Sequence, residues 1–221
     1  MSPRGFRGFL GERRWRALEG RGALRICRPG EYLLRQGAEG GSLFALISGR
    51  VKVLAGDRDG AEVLLSLRGP GDLVGEMAAR RRATRSATVQ TLEKCTIRSL
   101  SRPEFDRFLE EEEAQDAFTD YLVAKLSETV PYQVQQVHFS PRRKLARLLL
   151  EVVRLAEADS PDCYRIPFSQ RSLAHALGMV RSTVAEQIRG MRADGVLGPG
   201  PRIEIADLRA LAEDAGAVSD Q

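Results

Sequence analysis

Apolar and polar positions change period several times along this chain, and each change marks a different kind of element. In residues 1–22, Phe6, Phe9, Leu10, Trp15 and Leu18 stand out of a stretch otherwise rich in Arg and Gly. This predicts one short amphipathic helix and a turn, covering an edge of the strand-rich region after it. From residue 23 to 101, short apolar runs alternate with Gly and Pro punctuation. The runs are Leu33-Leu34, Leu43-Phe44-Ala45-Leu46-Ile47, Val51-Lys52-Val53-Leu54 and Val63-Leu64-Leu65-Ser66-Leu67, then residues 87–89 and 95–100. The turns fall at Pro29-Gly30, residues 37–41, Gly49, residues 56–60 and Gly69-Pro70-Gly71. Strands so spaced build a sandwich or barrel, and we read an eight-stranded antiparallel jelly roll.

A helical period takes over at Ser101-Arg102-Pro103-Glu104. Ser101 can cap, Pro103 is tolerated in the first turn, and Glu104 completes a capping box. The acidic run Glu110, Glu111, Glu112 and Glu113 reads as a solvated helix end, with a regulatory contact as the alternative. A long helix is predicted over residues 114–139. Val123, Leu126, Val130 and Val137 recur at alternating three- and four-residue steps, with Gln133 in the remaining slot. So narrow a seam suits contact between two helices, hence a homodimer. Pro131 interrupts it; an interior proline costs about 3 kcal/mol and disfavours helix at Val130, so a kink or a break is expected. Ser140-Pro141 marks a hinge, and residues 142–158 form an amphipathic helix with Leu145, Leu148, Leu149, Val152 and Leu155 on one face.

The remaining pattern is helix, turn, helix, hairpin. Ser169 caps a first helix with Leu173, Ala174 and Leu177 inward, and Gly178 supplies the turn. A second helix starts near Arg181, with Val184, Ile188 and Met191 buried and polar residues at its N-terminal end, as major-groove readout requires. Val196-Leu197, the Gly198-Pro199-Gly200-Pro201 turn and Arg202-Ile203-Glu204-Ile205 form a hairpin. With residues 164–167 it makes a winged helix-turn-helix. The fold class is therefore α+β. An effector-binding jelly roll spans 1–113, a dimerisation helix 114–139 and a winged helix-turn-helix domain 140–221.

Composition narrows the function. No run of eighteen apolar residues exists and residues 1–22 lack the apolar core of a signal peptide, so the expected location is the cytoplasm. Cys27, Cys95 and Cys163 are dispersed and read as plain thiols. Only His138 and His175 are available, too few for a metal-dependent barrel enzyme, and both read as satisfied or exposed side chains. Neither a Ser-His-Asp or Cys-His arrangement nor a Walker-type loop is present, so we expect no enzyme and no metal. Net charge is +4, and all but Lys52, Lys94, Lys125 and Lys144 of the 34 basic residues are arginine. That bias fits a GC-rich bacterial genome and also favours phosphate ligation.

The chemistry concentrates in Gly75-Glu76-Met77-Ala78 and Arg85-Ser86-Ala87-Thr88-Val89. Gly75 permits a sharp turn into a short helix, whose first amides can face an anion. Arg85 can hold a phosphate by a charge-assisted contact, and Ser86 adds a hydroxyl. Glu76 can accept from a hydroxyl, so the stretch suits an anionic, hydroxyl-bearing ligand. The bland alternative is that Glu76 and Arg85 pair with one another inside a turn.

The order Pro29-Gly30-Glu31, Gly37, Ser48-Gly49, Gly69-Pro70-Gly71-Asp72, Gly75-Glu76-Met77-Ala78 and Arg85-Ser86-Ala87-Thr88-Val89 resembles the Crp/Fnr family, most closely its cAMP receptor branch. Gln170-x-x-Leu173-Ala174 followed by Gly178-x-x-Arg181-x-Thr183-Val184 is similar to that family's DNA-binding motif. The resemblance implies a dimeric transcription regulator controlled by a cyclic nucleotide, cAMP favoured. It implies a nucleotide site of Gly75, Glu76, Met77, Ala78, Arg85 and Ser86, with Thr129 from the long helix. By the same resemblance Arg181, Ser182 and Glu186 read bases, while Gln170 and Thr183 are phosphate contacts. The partners implied are double-stranded DNA, a second copy of the chain and RNA polymerase, with no membrane. Two positions depart from the family pattern. Arg80 and Arg81 stand where apolar residues are usual, making with Arg82 three extra guanidiniums, and Val130 follows Thr129 where the branch has a second polar residue. The alternative is the same DNA-binding regulator with a drifted pocket, independent of ligand or answering another anionic effector.

Overall fold

The computed structural model describes residues 5–56, 62–81, 84–157 and 162–217, without the side chains of 79–81 and 128–138. Its eight described strands are β1 Ala23–Cys27, β2 Tyr32–Leu34, β3 Ser42–Ser48, β4 Val51–Gly56, β5 Glu62–Arg68, β6 Leu73–Val74, β7 Thr88–Thr91 and β8 Cys95–Ser101. They pair antiparallel in two sheets, ordered β1-β8-β3-β6 and β2-β7-β4-β5, which is a jelly roll. β1 and β6 lie outside the apolar runs singled out above. β1 has exposed Leu24 and Ile26, and β6 is two residues long.

Alternation along the strands sorts the apolar side chains into layers. Phe44 and Leu46 of β3 point between the sheets, with Val51, Val74, Val89 and Ile97. Leu43 and Ala45 of the same strand point the other way, toward a cluster with Phe6, Trp15, Phe105, Phe108 and Phe118. That cluster is built by α1 Gly5–Leu10, α2 Glu12–Glu19, α4 Arg102–Glu111 and α5 Gln115–His138. The N-terminal segment is thus two helices where one was predicted. The break is Gly11, whose φ of 81° and ψ of 158° lie outside the helical region and suit a residue without a side chain.

The capping box at Ser101 forms: its side chain accepts from the Glu104 amide, and Glu104 reaches back to the Ser101 amide. The acidic run is less idle than a solvated helix end, because Glu111 pairs with Arg21 and Glu112 with Arg13 across the N-terminal helices. α5 runs unbroken across Pro131, so the expected break does not occur.

After α5 come α6 Pro141–Arg154, α7 Gln170–Leu177, α8 Arg181–Ala193 and α9 Leu208–Asp214. α6 ends four residues before the predicted limit, with Leu155 as its C-cap. The predicted hairpin after α8 closes through isolated bridges, Leu197 with Ile205 and Arg165 with Glu204. The C-terminal core of Leu145, Leu149, Leu173, Val184 and Ile188 is continuous with Leu54, Leu64 and Leu67 of β4 and β5. Helices around α5 therefore pack on the outer face of one sheet at β3 and β8, and the C-terminal domain packs on the other at β4 and β5. Among the described residues no helix is long and apolar enough to cross a membrane.

Candidate functional site

The turn between β6 and α3 Glu76–Arg81 opens a cavity of about 220 Å³. Gly75, Glu76, Met77, Ala78, Arg85 and Ser86 all line it, joined by Ser66 and Arg68 from β5 and by Leu122, Lys125 and Leu126 from α5. Local backbone explains the approach. Gly75 has a φ of 88°, and a Cβ there would lie 2.8 Å from Arg85 Nη1 and 3.0 Å from Leu34 Cδ1. Arg85 is fixed by its main chain, donating to Ala38 O at 2.8 Å while its carbonyl accepts from Gly37 at 2.9 Å.

The charged side chains are buried and engaged. Arg85 donates through Nη1 to Gly75 O at 2.9 Å and through Nη2 to Ser42 O at 2.6 Å. Burial pulls its pKa below the usual guanidinium range, and the nearby Glu76 carboxylate opposes that shift. Glu76 does not pair with Arg85. Its Oε1 accepts from Lys125 Nζ at 2.8 Å, and the same ammonium donates to Leu73 O at 2.7 Å and Tyr121 Oη at 3.1 Å. The Tyr121 hydroxyl accepts from the Leu73 amide at 3.2 Å and lies 3.3 Å from Asp72 Oδ1. Burial, then the Asp72 and Glu76 charges, hold this phenol well above its ordinary pKa. Chemically the cavity offers a carboxylate, two guanidiniums, an ammonium and two hydroxyls against apolar walls, a set suited to a small anion bearing hydroxyls.

Lys125, Tyr121, Asp72 and Arg68 were missed from the sequence as parts of this site. The signal for two of them was present: Tyr121 and Lys125 are four apart on the long helix, so they share a face. Thr129, Val130, Arg80, Arg81 and Arg82 lie outside the described side chains, as does His138. Among the described residues no group of three or more His, Cys, Asp or Glu could hold a metal ion.

The second site is the α7–α8 pair. Ser169 Oγ accepts from the Ser172 amide at 3.0 Å, and Gly178 ends α7 in the left-handed conformation, φ 60° and ψ 35°. Val184, Ile188 and Met191 bury one stripe of α8. Arg181, Ser182 and Glu186 then stand exposed, while Thr183 and Gln170 are half-buried. His175 is exposed on α7. Arg192, at the end of α8, staples the adjoining hairpin. It donates to Gly198 O at 3.2 Å, Gly200 O at 2.6 Å and Arg202 O at 3.1 Å. Sequence reasoning gave Arg192 no role, although a guanidinium beside a Gly-Pro turn with several open carbonyls was the available signal.

Comparison with known proteins matches residues 24–112 to the cyclic nucleotide-binding domain and residues 143–214 to the Crp-like helix-turn-helix domain. The cyclic AMP receptor protein of Thermus thermophilus is 25% identical over 193 residues, 86% of this chain and 87% of that one. A solved CRP-family transcriptional regulator from the same organism superposes with a TM-score of 0.73 at 24% identity, over 87% of this chain and 96% of that one. The c-di-GMP responsive global regulator CLP of Xanthomonas campestris superposes with a TM-score of 0.69 at 20% identity, over 88% of this chain and 98% of its own.

Proposed function

Because the chain belongs to the Crp/Fnr family of cyclic nucleotide-responsive transcription regulators, we propose that it is a homodimeric switch with cAMP as its favoured effector. Membership makes it a DNA-binding regulator and not an enzyme. The observation that carries the ligand reading is the convergence of Ser86 and the buried Glu76 and Arg85 on one cavity. In this reading Arg85 and Ser86 take the cyclic phosphate, Glu76 accepts from the ribose 2′-hydroxyl, and Gly75, Met77 and Ala78 shape the wall. Arg181, Ser182 and Glu186 read base edges, with Thr183 and Gln170 on phosphates.

The dimer runs through α5. Val123 and Leu126 are each 58% exposed there, and Leu126 also lines the cavity, so a helix laid on this seam would sense the ligand directly. We take 1–113 as the effector domain, 114–139 as the dimerisation helix and 140–221 as the DNA-binding domain, working in the cytoplasm beside RNA polymerase. Ligand acts by binding one arrangement of the two heads better than the other.

One observation favours a second reading, a regulator independent of nucleotide. Glu76 and Arg85 already have partners within the chain, so these two charges are compensated by the protein itself. Titration calorimetry with cAMP, cGMP and cyclic dinucleotides separates the two. We expect binding that weakens by about 1.5–3 kcal/mol in Arg85→Ala, the range for hydrogen bonds to a charged group. No heat from any of them at millimolar ligand would leave only the second reading.

A further inference from the structure

We propose that Arg50 is a positioning residue that locks the DNA-binding head onto the jelly roll, and that the locked arrangement is the one with low operator affinity. The second half rests on the assignment of α7 and α8 to DNA. Arg50 follows the Gly49 turn at the start of β4 and is only 3% exposed. Its guanidinium faces both ways. Nε and Nη2 donate to Glu93 at 2.7 and 2.8 Å, within the jelly roll. Nη1 donates to Val152 O at 2.8 Å, and Nη2 also approaches Arg165 O at 3.4 Å, both in the C-terminal domain.

Val152 lies in the last turn of α6, where carbonyls have no partner within the helix. A cation there also meets the negative end of the helix dipole. Arg50 thus holds the end of α6 and a point in the α6–α7 connection, and Glu93 neutralises it. The apolar contact of Leu54, Leu64 and Leu67 with the head core gives the lock its area. That contact is non-directional; the guanidinium, with fixed donor geometry, sets the head's position.

The position bears on DNA. A groove of about 710 Å³ separates the domains beside this ion pair. Gln170, Arg171 and Arg181 line one side, and Pro29, Leu92 and Glu93 of the jelly roll line the other. Phosphates approaching Gln170 and Arg171 would meet the Glu93 carboxylate. In the locked position the jelly roll and this carboxylate therefore oppose seating of this corner of the motif on DNA.

The test uses the full-length chain with Arg50→Lys, which keeps the charge and loses the planar fork, and with Glu93→Gln, which loosens the same pair. Hydrogen–deuterium exchange needs neither DNA nor nucleotide. We expect amides of the last turn of α6 and of residues 162–168 to exchange about tenfold faster in both variants, with the β-sheets unchanged, as for loss of one charged hydrogen bond. Operator affinity without nucleotide should rise by about the same factor, measured by fluorescence anisotropy. Unchanged exchange in both variants overturns the lock. Faster exchange with equal or weaker operator binding overturns the low-affinity assignment. Binding of no operator by wild type or variants would count against the DNA reading, while exchange still decides the lock. Should both variants unfold, Arg50 is a core residue and the proposal fails.

Discussion

In the cavity between β5, α3 and α5, Glu76 and Arg85 are 4% and 5% exposed, and each is held by partners from the same chain. On α8, Arg181, Ser182 and Glu186 stand in solvent, where a duplex would supply the partners. The two regions handle charge in opposite ways. Buried charges have little screening and depend on every neighbour, so the cavity is bound up with the stability of the fold. Exposed charges cost the fold almost nothing and are free to serve recognition. One truncation of each kind should therefore give opposite patterns of stability and binding.

The largest effect is expected at Glu76. Glu76→Ala leaves the Lys125 ammonium without its buried counter-charge. Breaking such a pair costs about 3–5 kcal/mol, and we expect about 3, the low end, because Lys125 keeps Leu73 O and Tyr121 Oη as acceptors. Urea unfolding with an unchanged slope would measure it. A loss below about 0.5 kcal/mol would place this pair with surface ion pairs and erase the contrast.

A smaller effect, of a different kind, is expected at Arg181. Arg181→Ala should leave stability within about 0.5 kcal/mol of wild type, as for an exposed position. It should weaken specific operator binding by about 1–3 kcal/mol and relax one base position in selected sequences. Identical selected operators for mutant and wild type would mean that Arg181 reads no base. Ionic strength sharpens the same contrast. Operator affinity should fall steeply with added salt, while nucleotide affinity in a buried site should fall much less.

How much could be read in advance divides along the same line. The α7–α8 motif was legible because its determinants are local: a cap at Ser169, a turn glycine at Gly178, and a stripe of Val184, Ile188 and Met191. Gly75, Glu76, Arg85 and Ser86 were legible for the same reason, lying close together in sequence. Lys125 was not, because it reaches the cavity from α5, 49 residues from Glu76, nor was Tyr121, which holds Lys125 from the same helix and lies 49 residues from Asp72. Nothing in the period of a helix says which strand it will cross. The same holds for Arg50, whose partners Val152 and Arg165 lie 102 and 115 residues away. The jelly roll was readable from turn chemistry and alternation, but β1 was not singled out, since its Leu24 and Ile26 face solvent. The N-terminal segment was read as one helix because the apolar period survives Gly11; only the backbone angle there divides it.

The smallest effect concerns pH, and it tests whether the cavity's charges act on the fold as a group. Tyr121 is held neutral well above its ordinary value of 10.0 by burial and by the Asp72 and Glu76 charges. In the unfolded chain its phenol ionises near 10, so the folded state keeps the proton longer. Stability from this difference is fully present below about pH 10 and is lost as pH rises beyond it. Cys95, raised from 9.0 to about 12, and Cys27, raised less, add a decline that starts lower, so the wild-type curve alone is ambiguous. The difference between wild type and Tyr121→Phe isolates the phenol. At neutral pH the variant should be less stable by about 1 kcal/mol for the lost hydroxyl contacts. Between pH 10 and 11 the gap should narrow, because only the wild type has a buried phenol that favours unfolding on ionisation. A gap that stays constant across that interval would mean that neither burial nor the carboxylates beside Tyr121 hold its proton, and that the cavity is less tightly coupled than its geometry implies.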